Sequence, residues 1–66
     1  MDNLTTEVVN ELDEIYDEII SSMRRVNRIR RHIKFTDEYD KLAEVVGSLM
    51  TAKGIIANMI YIDEEN

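Results

Sequence analysis

The sequence predicts an all-α fold, an antiparallel helical hairpin that pairs into a homodimeric four-helix bundle. The chain of 66 residues has no proline and two glycines, so few positions favour the turns of a many-stranded β-fold. Its apolar residues instead recur at the spacing of amphipathic helices. It has no cysteine and one histidine, so neither disulfides nor a structural zinc site are expected to stabilise its small core. We therefore expect one domain, residues 1–66, that is stabilised by oligomerisation.

The first helix is predicted over residues 4–34, with Asn3, Thr5 or Thr6 as its N-cap. When Leu12 is counted as heptad position a, apolar side chains fill positions a and d, with Ser22 as the one small polar residue in the d series. Apolar residues at position e widen the stripe to the face of a bundle helix. The three series are Leu12, Ile19, Val26 and Ile33 at a; Val8, Ile15 and Ile29 at d; Val9, Tyr16 and Met23 at e.

A turn is predicted at residues 35–36, followed by a second helix over residues 37–62. Thr36 is a suitable N-cap, and the acids Asp37, Glu38 and Asp40 suit the first turn of a helix. A short link between two long helices implies antiparallel neighbours. Because no glycine or proline enforces the turn, a single kinked helix stays open as an alternative. The second apolar series has Leu42, Leu49 and Ile56 at heptad position a and Val45, Ala52 and Met59 at position d.

The second helix also carries a stripe of small residues, in which Gly47 and Gly54 share one face. A helical glycine costs roughly 1 kcal/mol relative to alanine, so this stripe suggests close approach of another backbone. Two alternatives stay open: glycines that are simply tolerated, or a helix that ends before a short strand over residues 55–62. The apolar end of the helix is too broad for one neighbour to cover. The expected dimer interface comprises Gly47, Gly54, Ile55, Ile56, Met59 and Ile60.

The net charge of −6 is segregated along the chain. Residues 2–18 carry seven acids and no base, whereas residues 24–34 carry six arginines and lysines and no acid. Two hairpins with their turns at opposite ends would bring acid against base, which favours an antiparallel dimer. The acids of the first helix form a surface that we call the acidic face, comprising Glu7, Glu11, Glu14, Asp17 and Glu18. Together with the acidic tail at residues 63–65, this face is expected to contact a basic protein surface.

These features predict a small non-enzymatic regulator or inhibitor, of a kind that phages and plasmids encode, which binds a protein partner and imitates the charge of a nucleic acid. The alternative is an RNA- or DNA-binding hairpin dimer, because Arg24, Arg28 and Arg31 line up on the outward face of the first helix and can follow phosphates. In architecture such a dimer resembles the small acidic hairpin dimer that binds paired RNA loops in plasmid copy control.

A third hypothesis rests on the spacing of four acids. The pairs Glu11-x-x-Glu14 and Asp37-x-x-Asp40 resemble the motifs that hold Mg²⁺ in all-α nucleotide pyrophosphohydrolases, which would imply a Mg-dependent nucleotide hydrolase. Glu14 precedes the turn by some twenty residues, whereas Asp40 follows it closely, so the two cannot meet within one hairpin. We therefore expect no catalytic residue, no metal site and no cofactor.

The expected location is the cytoplasm, without membrane contact. The first residues lack the basic region and apolar run of a signal peptide. The longest apolar stretch, residues 55–62, is interrupted by Asn58 and falls short of the roughly 20 residues that a membrane span needs.

Overall fold

The computed structural model describes residues 4–65, and side chains over residues 4–61; within that range the chain forms two helices. Helix α1 spans Thr6–His32 and helix α2 spans Asp37–Glu65. They pack side by side as a hairpin about 47 Å long and 15 by 12 Å across. The predicted all-α hairpin is confirmed. Two of the alternatives are wrong: the chain is not one helix continuous across the turn, and α2 runs through Ile55 without giving way to a strand.

Helix α1 begins at a side-chain cap. The Thr5 hydroxyl oxygen accepts a hydrogen bond from the backbone N–H of Val8 at 3.2 Å, so Thr5 is the N-cap among the three predicted candidates. At the other end, the N–H of Ile33 donates to the carbonyl of Arg30 at 3.2 Å. The helix therefore starts two residues later and ends two residues earlier than the predicted range of 4–34.

Thr36 organises the turn between the helices. Its hydroxyl donates to the carbonyl of Ile33 at 2.6 Å and accepts from the backbone N–H of Tyr39 at 3.2 Å, which confirms the predicted N-cap of α2. Phe35 has a positive φ of 69° and a fully exposed side chain. Left-handed backbone costs an L-residue other than glycine roughly 1–2 kcal/mol, and nothing in the sequence pattern indicated it at this position.

The two helices face each other through positions a and e, not through a and d. Position e of α1 is half-buried at Val9, Tyr16 and Met23, and position e of α2 includes Ile60, at 9 % exposure the one buried residue among the described side chains. The d series lies at the edge of the contact and stays mostly exposed. Its exposed members are Val8, Ile15, Ser22 and Ile29 on α1, and Val45 and Met59 on α2.

Both d series lie on the same side of the hairpin. Asp13 of α1 and Ala57 of α2 each follow a position a by one residue and so occupy position b. They line one depression together with Tyr16 and Ile60, so position b of both helices lies on the same side of the hairpin. Because d lies on the other edge of each helix, the two d series share the opposite side. We call this surface the d face, and it comprises Val8, Ile15, Ser22, Ile29, Val45, Ala52 and Met59.

Candidate partner-binding surfaces

The acidic face lies on the half of α1 that is distant from the turn. Its carboxylates lie between residues 7 and 18, about 17 Å along the helix, and all are exposed. Within the part of the chain that the structure describes, none of them makes a hydrogen bond or an ion pair. They are Glu7, Glu11, Glu14, Asp17 and Glu18. The acidic tail at residues 63–65 lies outside the described side chains.

The predicted nucleic-acid contacts lie on the other half of the same helix. Arg24, Arg28 and Arg31 are spaced by four and three residues, so they share one side of α1, and all three are exposed. Arg24 follows Glu18, the last residue of the acidic face, by six residues, which is fewer than two helical turns. Helix α1 therefore presents opposite charge at its two ends.

Arg30 differs from its neighbours because it turns toward α2. Its guanidinium carbon lies 4.1 Å from the centre of the Tyr39 ring, and its Nε donates to the Tyr39 carbonyl at 3.2 Å. A further bond runs from Arg30 to the Asn27 amide oxygen at 3.4 Å. No ion pair between the arginines of α1 and the acids of α2 is formed among the described residues. A stacked arginine joins the helices instead.

The six residues of the predicted dimer interface point in different directions. Gly47 and Gly54 are exposed, and a Cβ atom at either would meet nothing within 4 Å, so neither glycine allows a close approach inside the hairpin. Ile56 and Ile60 face α1. Ile55 and Met59 remain exposed and available to another molecule.

The acids of the Mg²⁺ hypothesis stay apart. In the described part of the chain, no group of three or more histidine, cysteine, aspartate or glutamate side chains is placed to hold a metal ion. His32 is exposed in the last turn of α1.

Three open depressions lie near these surfaces. The largest, about 670 Å³, is lined by residues 34–37 together with Tyr39 and Asp40 at the turn. A second, about 420 Å³, is lined by Val8, Glu11 and neighbouring residues near the start of α1. A third, about 250 Å³, is lined by Ser22, Arg25, Val26 and Ile29. The second and third lie along the d face.

Helix α2 is apolar over much of its length. Over Asp37–Tyr61 it is long and apolar enough to cross a membrane by length and composition alone, and its most apolar window of 18 residues has a mean hydropathy of 1.2. A helix in the core of a helical bundle has a similar composition, because neighbouring helices cover its apolar face from both sides.

Comparisons with protein-family models, with curated proteins and with solved structures each found no match to this chain.

Proposed function

We propose that this protein is a small non-enzymatic binding module, a regulator or inhibitor, that works as a homodimeric four-helix bundle and binds a basic surface on a protein partner through its acidic face. Five exposed carboxylates on one half of α1, none paired with a described residue, carry this proposal. A row of unpaired carboxylates attracts a basic partner and repels acidic ones, so it provides selectivity and a fast encounter.

The need for a second chain supports the dimer. One buried side chain among those described is too small a core for an independent domain, and 66 residues without disulfides usually gain stability by association. The exposed apolar residues of both helices supply the surface that a bundle would cover.

Charge reversal tests the acidic face. The tagged protein, captured from its native host, should bring down a specific protein, and the variant Glu14→Lys/Asp17→Lys should lose it. The variant Arg24→Ala/Arg28→Ala serves as the control and should retain the partner. Retention of the partner by the reversed variant, or its loss from the control alone, would overturn the proposal.

A second candidate function, RNA or DNA binding, is favoured by one observation: Arg24, Arg28 and Arg31 form an exposed row on α1. A nucleic-acid complex should weaken steeply with salt, and Arg24→Ala with Arg28→Ala should reduce that salt slope by about one unit per lost phosphate contact. Captured nucleic acid, released by these two substitutions, would replace the protein-partner proposal with this one.

We further propose a cytoplasmic location for the dimer. Burying the apolar residues of α2 in a bundle accounts for its composition without a membrane. Purified protein mixed with vesicles should then stay in the aqueous fraction on flotation. Flotation with neutral vesicles would contradict this location and favour a membrane-associated α2.

A further inference from the structure

The exposed apolar d face has a shape and a charge pattern that suit one particular occupant. We propose that it docks the d face of a second copy of this chain, with the turns at opposite ends and Ser22 of both copies at the twofold axis. This inference rests on the dimer of the proposed function and specifies its contact surface and register. The d face thereby replaces the glycine stripe as the proposed contact surface of the dimer.

Apolar layers support the register. With α1 lying antiparallel on α1 of the second copy and centred on Ser22, Ile15 of each copy lies opposite Ile29 of the other. The small side chain of Ser22 then occupies the point where the two helices come closest. The depression beside Ser22, Arg25 and Ile29 lies at the level where the partner's α1 presents Ile15 and its neighbours.

Charges at the edge of the d face support the same register. Glu11, Glu18, Arg25 and His32 follow each other at seven-residue spacing along position g of α1, beside the d series. In the proposed register, Glu18 lies near Arg25 of the second copy and Glu11 near its His32. If the turns lay together, α1 would lie on α2 of the second copy. His32 would then lie near Lys41, and Glu18 near Ile55, so neither would meet an opposite charge at this edge.

The ends of the hairpin also match. The proposed register brings Phe35 of one copy to the level of Val8 of the other, where the structure has an open depression lined by Val8, Glu11 and Leu12. Phe35 is fully exposed in the single chain. A second copy would therefore give this exposed aromatic ring an apolar neighbour at each end of the bundle.

A matched pair of substitutions identifies the face. Ile29 lies on the d face and Met50 on the opposite edge of the hairpin, and their exposures are nearly equal, 52 % and 53 %. Ile29→Asp should weaken dimerisation at least about 100-fold in sedimentation experiments, because it buries an unpaired charge, while Met50→Asp should leave the dimer intact. Circular dichroism checks that each variant stays helical. Dissociation by Met50→Asp alone would overturn the d face but keep the dimer, whereas a wild-type monomer at 100 µM would overturn both.

Cross-linking identifies the register. The chain has no cysteine, so Ser22→Cys introduces a single thiol, and mild oxidation should link two copies across the axis. Ser21→Cys, the matched control, places the thiol outside the d face and should remain unlinked. Equal cross-linking of both variants, or none of Ser22→Cys, would overturn the register.

The edge charges give an independent measurement. Glu18→Arg and Arg25→Glu should each weaken the dimer by about two- to ten-fold, since each contact occurs twice in a symmetric dimer. The double variant should recover most of the affinity, because the exchanged charges again face each other across the interface. Additive losses in the double variant would contradict the proposed pairing.

Discussion

Replacing both helical glycines by alanine should stabilise the protein. Gly47 and Gly54 lie in the interior of α2 with ordinary negative φ angles, so alanine fits the backbone of each. A Cβ atom at either position meets nothing within 4 Å. The gain therefore comes from helix propensity alone, without a steric cost.

The expected gain in stability follows from the helix propensities of glycine and alanine. Each exchange should raise the free energy of unfolding by about 0.8–1.0 kcal/mol. The two sites are seven residues apart, about 10 Å along the axis, so their effects should nearly add. The double variant should gain roughly 1.5–2 kcal/mol in urea unfolding, which for a domain of this size raises the melting temperature by roughly 6–16 °C.

Leucine at the same positions provides the control. Its helix propensity is close to that of alanine, so Gly47→Leu and Gly54→Leu should keep most of the gain if the surface is open. If the glycines instead meet the backbone of a second chain, leucine would dissociate the dimer and lower the stability. Sedimentation beside urea unfolding separates these outcomes. Destabilisation by alanine would refute the reasoning and restore the glycine stripe as the dimer contact.

Three further substitutions test the turn and the contact between the helices. Phe35→Asn and Phe35→Ala both remove the ring, but asparagine tolerates the left-handed backbone better, so the melting temperature of Phe35→Asn should be about 2–6 °C higher. Equal melting temperatures would contradict backbone strain at this position. Thr36→Ala should cost about 1 kcal/mol in urea unfolding as a lost N-cap, whereas Thr51→Ala, which removes only a hydroxyl bonded to the Gly47 carbonyl, should be nearly neutral. Arg30→Lys should cost about 0.5–1.5 kcal/mol, since an ammonium keeps the charge but loses the planar stacking on Tyr39, and an unchanged unfolding midpoint would argue against that contact.

Local signals were sufficient for the helices and the turn. The heptad spacing of Leu12, Ile19 and Val26 needs no tertiary information, because helical periodicity alone places these side chains on one face. Thr36 followed by acids identified the start of α2, since a hydroxyl and negative charge both satisfy the free N–H groups of a first turn. The segregation of charge is likewise a property of the sequence, and helix formation converts it into an acidic and a basic end of α1.

The candidate partner-binding surfaces could be predicted from the sequence only in part. The acidic carboxylates and the outer arginines were identified by type and spacing, and the structure leaves both sets exposed. The exception is Arg30, which resembles its neighbours in sequence but stacks on Tyr39, because that ring lies opposite it only after the hairpin closes. The exposure and the left-handed backbone of Phe35 were also missed. A phenylalanine between two helices carries no signal for either property.

The sequence by itself determined two amphipathic helices, a short turn and a segregated charge. Only the tertiary structure decided which edge of each apolar stripe lies inside the hairpin. The stripe is three positions in seven wide, so pairing through a and d and pairing through a and e satisfy the same pattern. Packing selects a and e, which buries Ile60 and half-buries Tyr16 and Met23, and leaves Ile15 and Ile29 of the d series exposed. One helix can cover only part of so wide a stripe, and the uncovered edge is the surface that another molecule can bind.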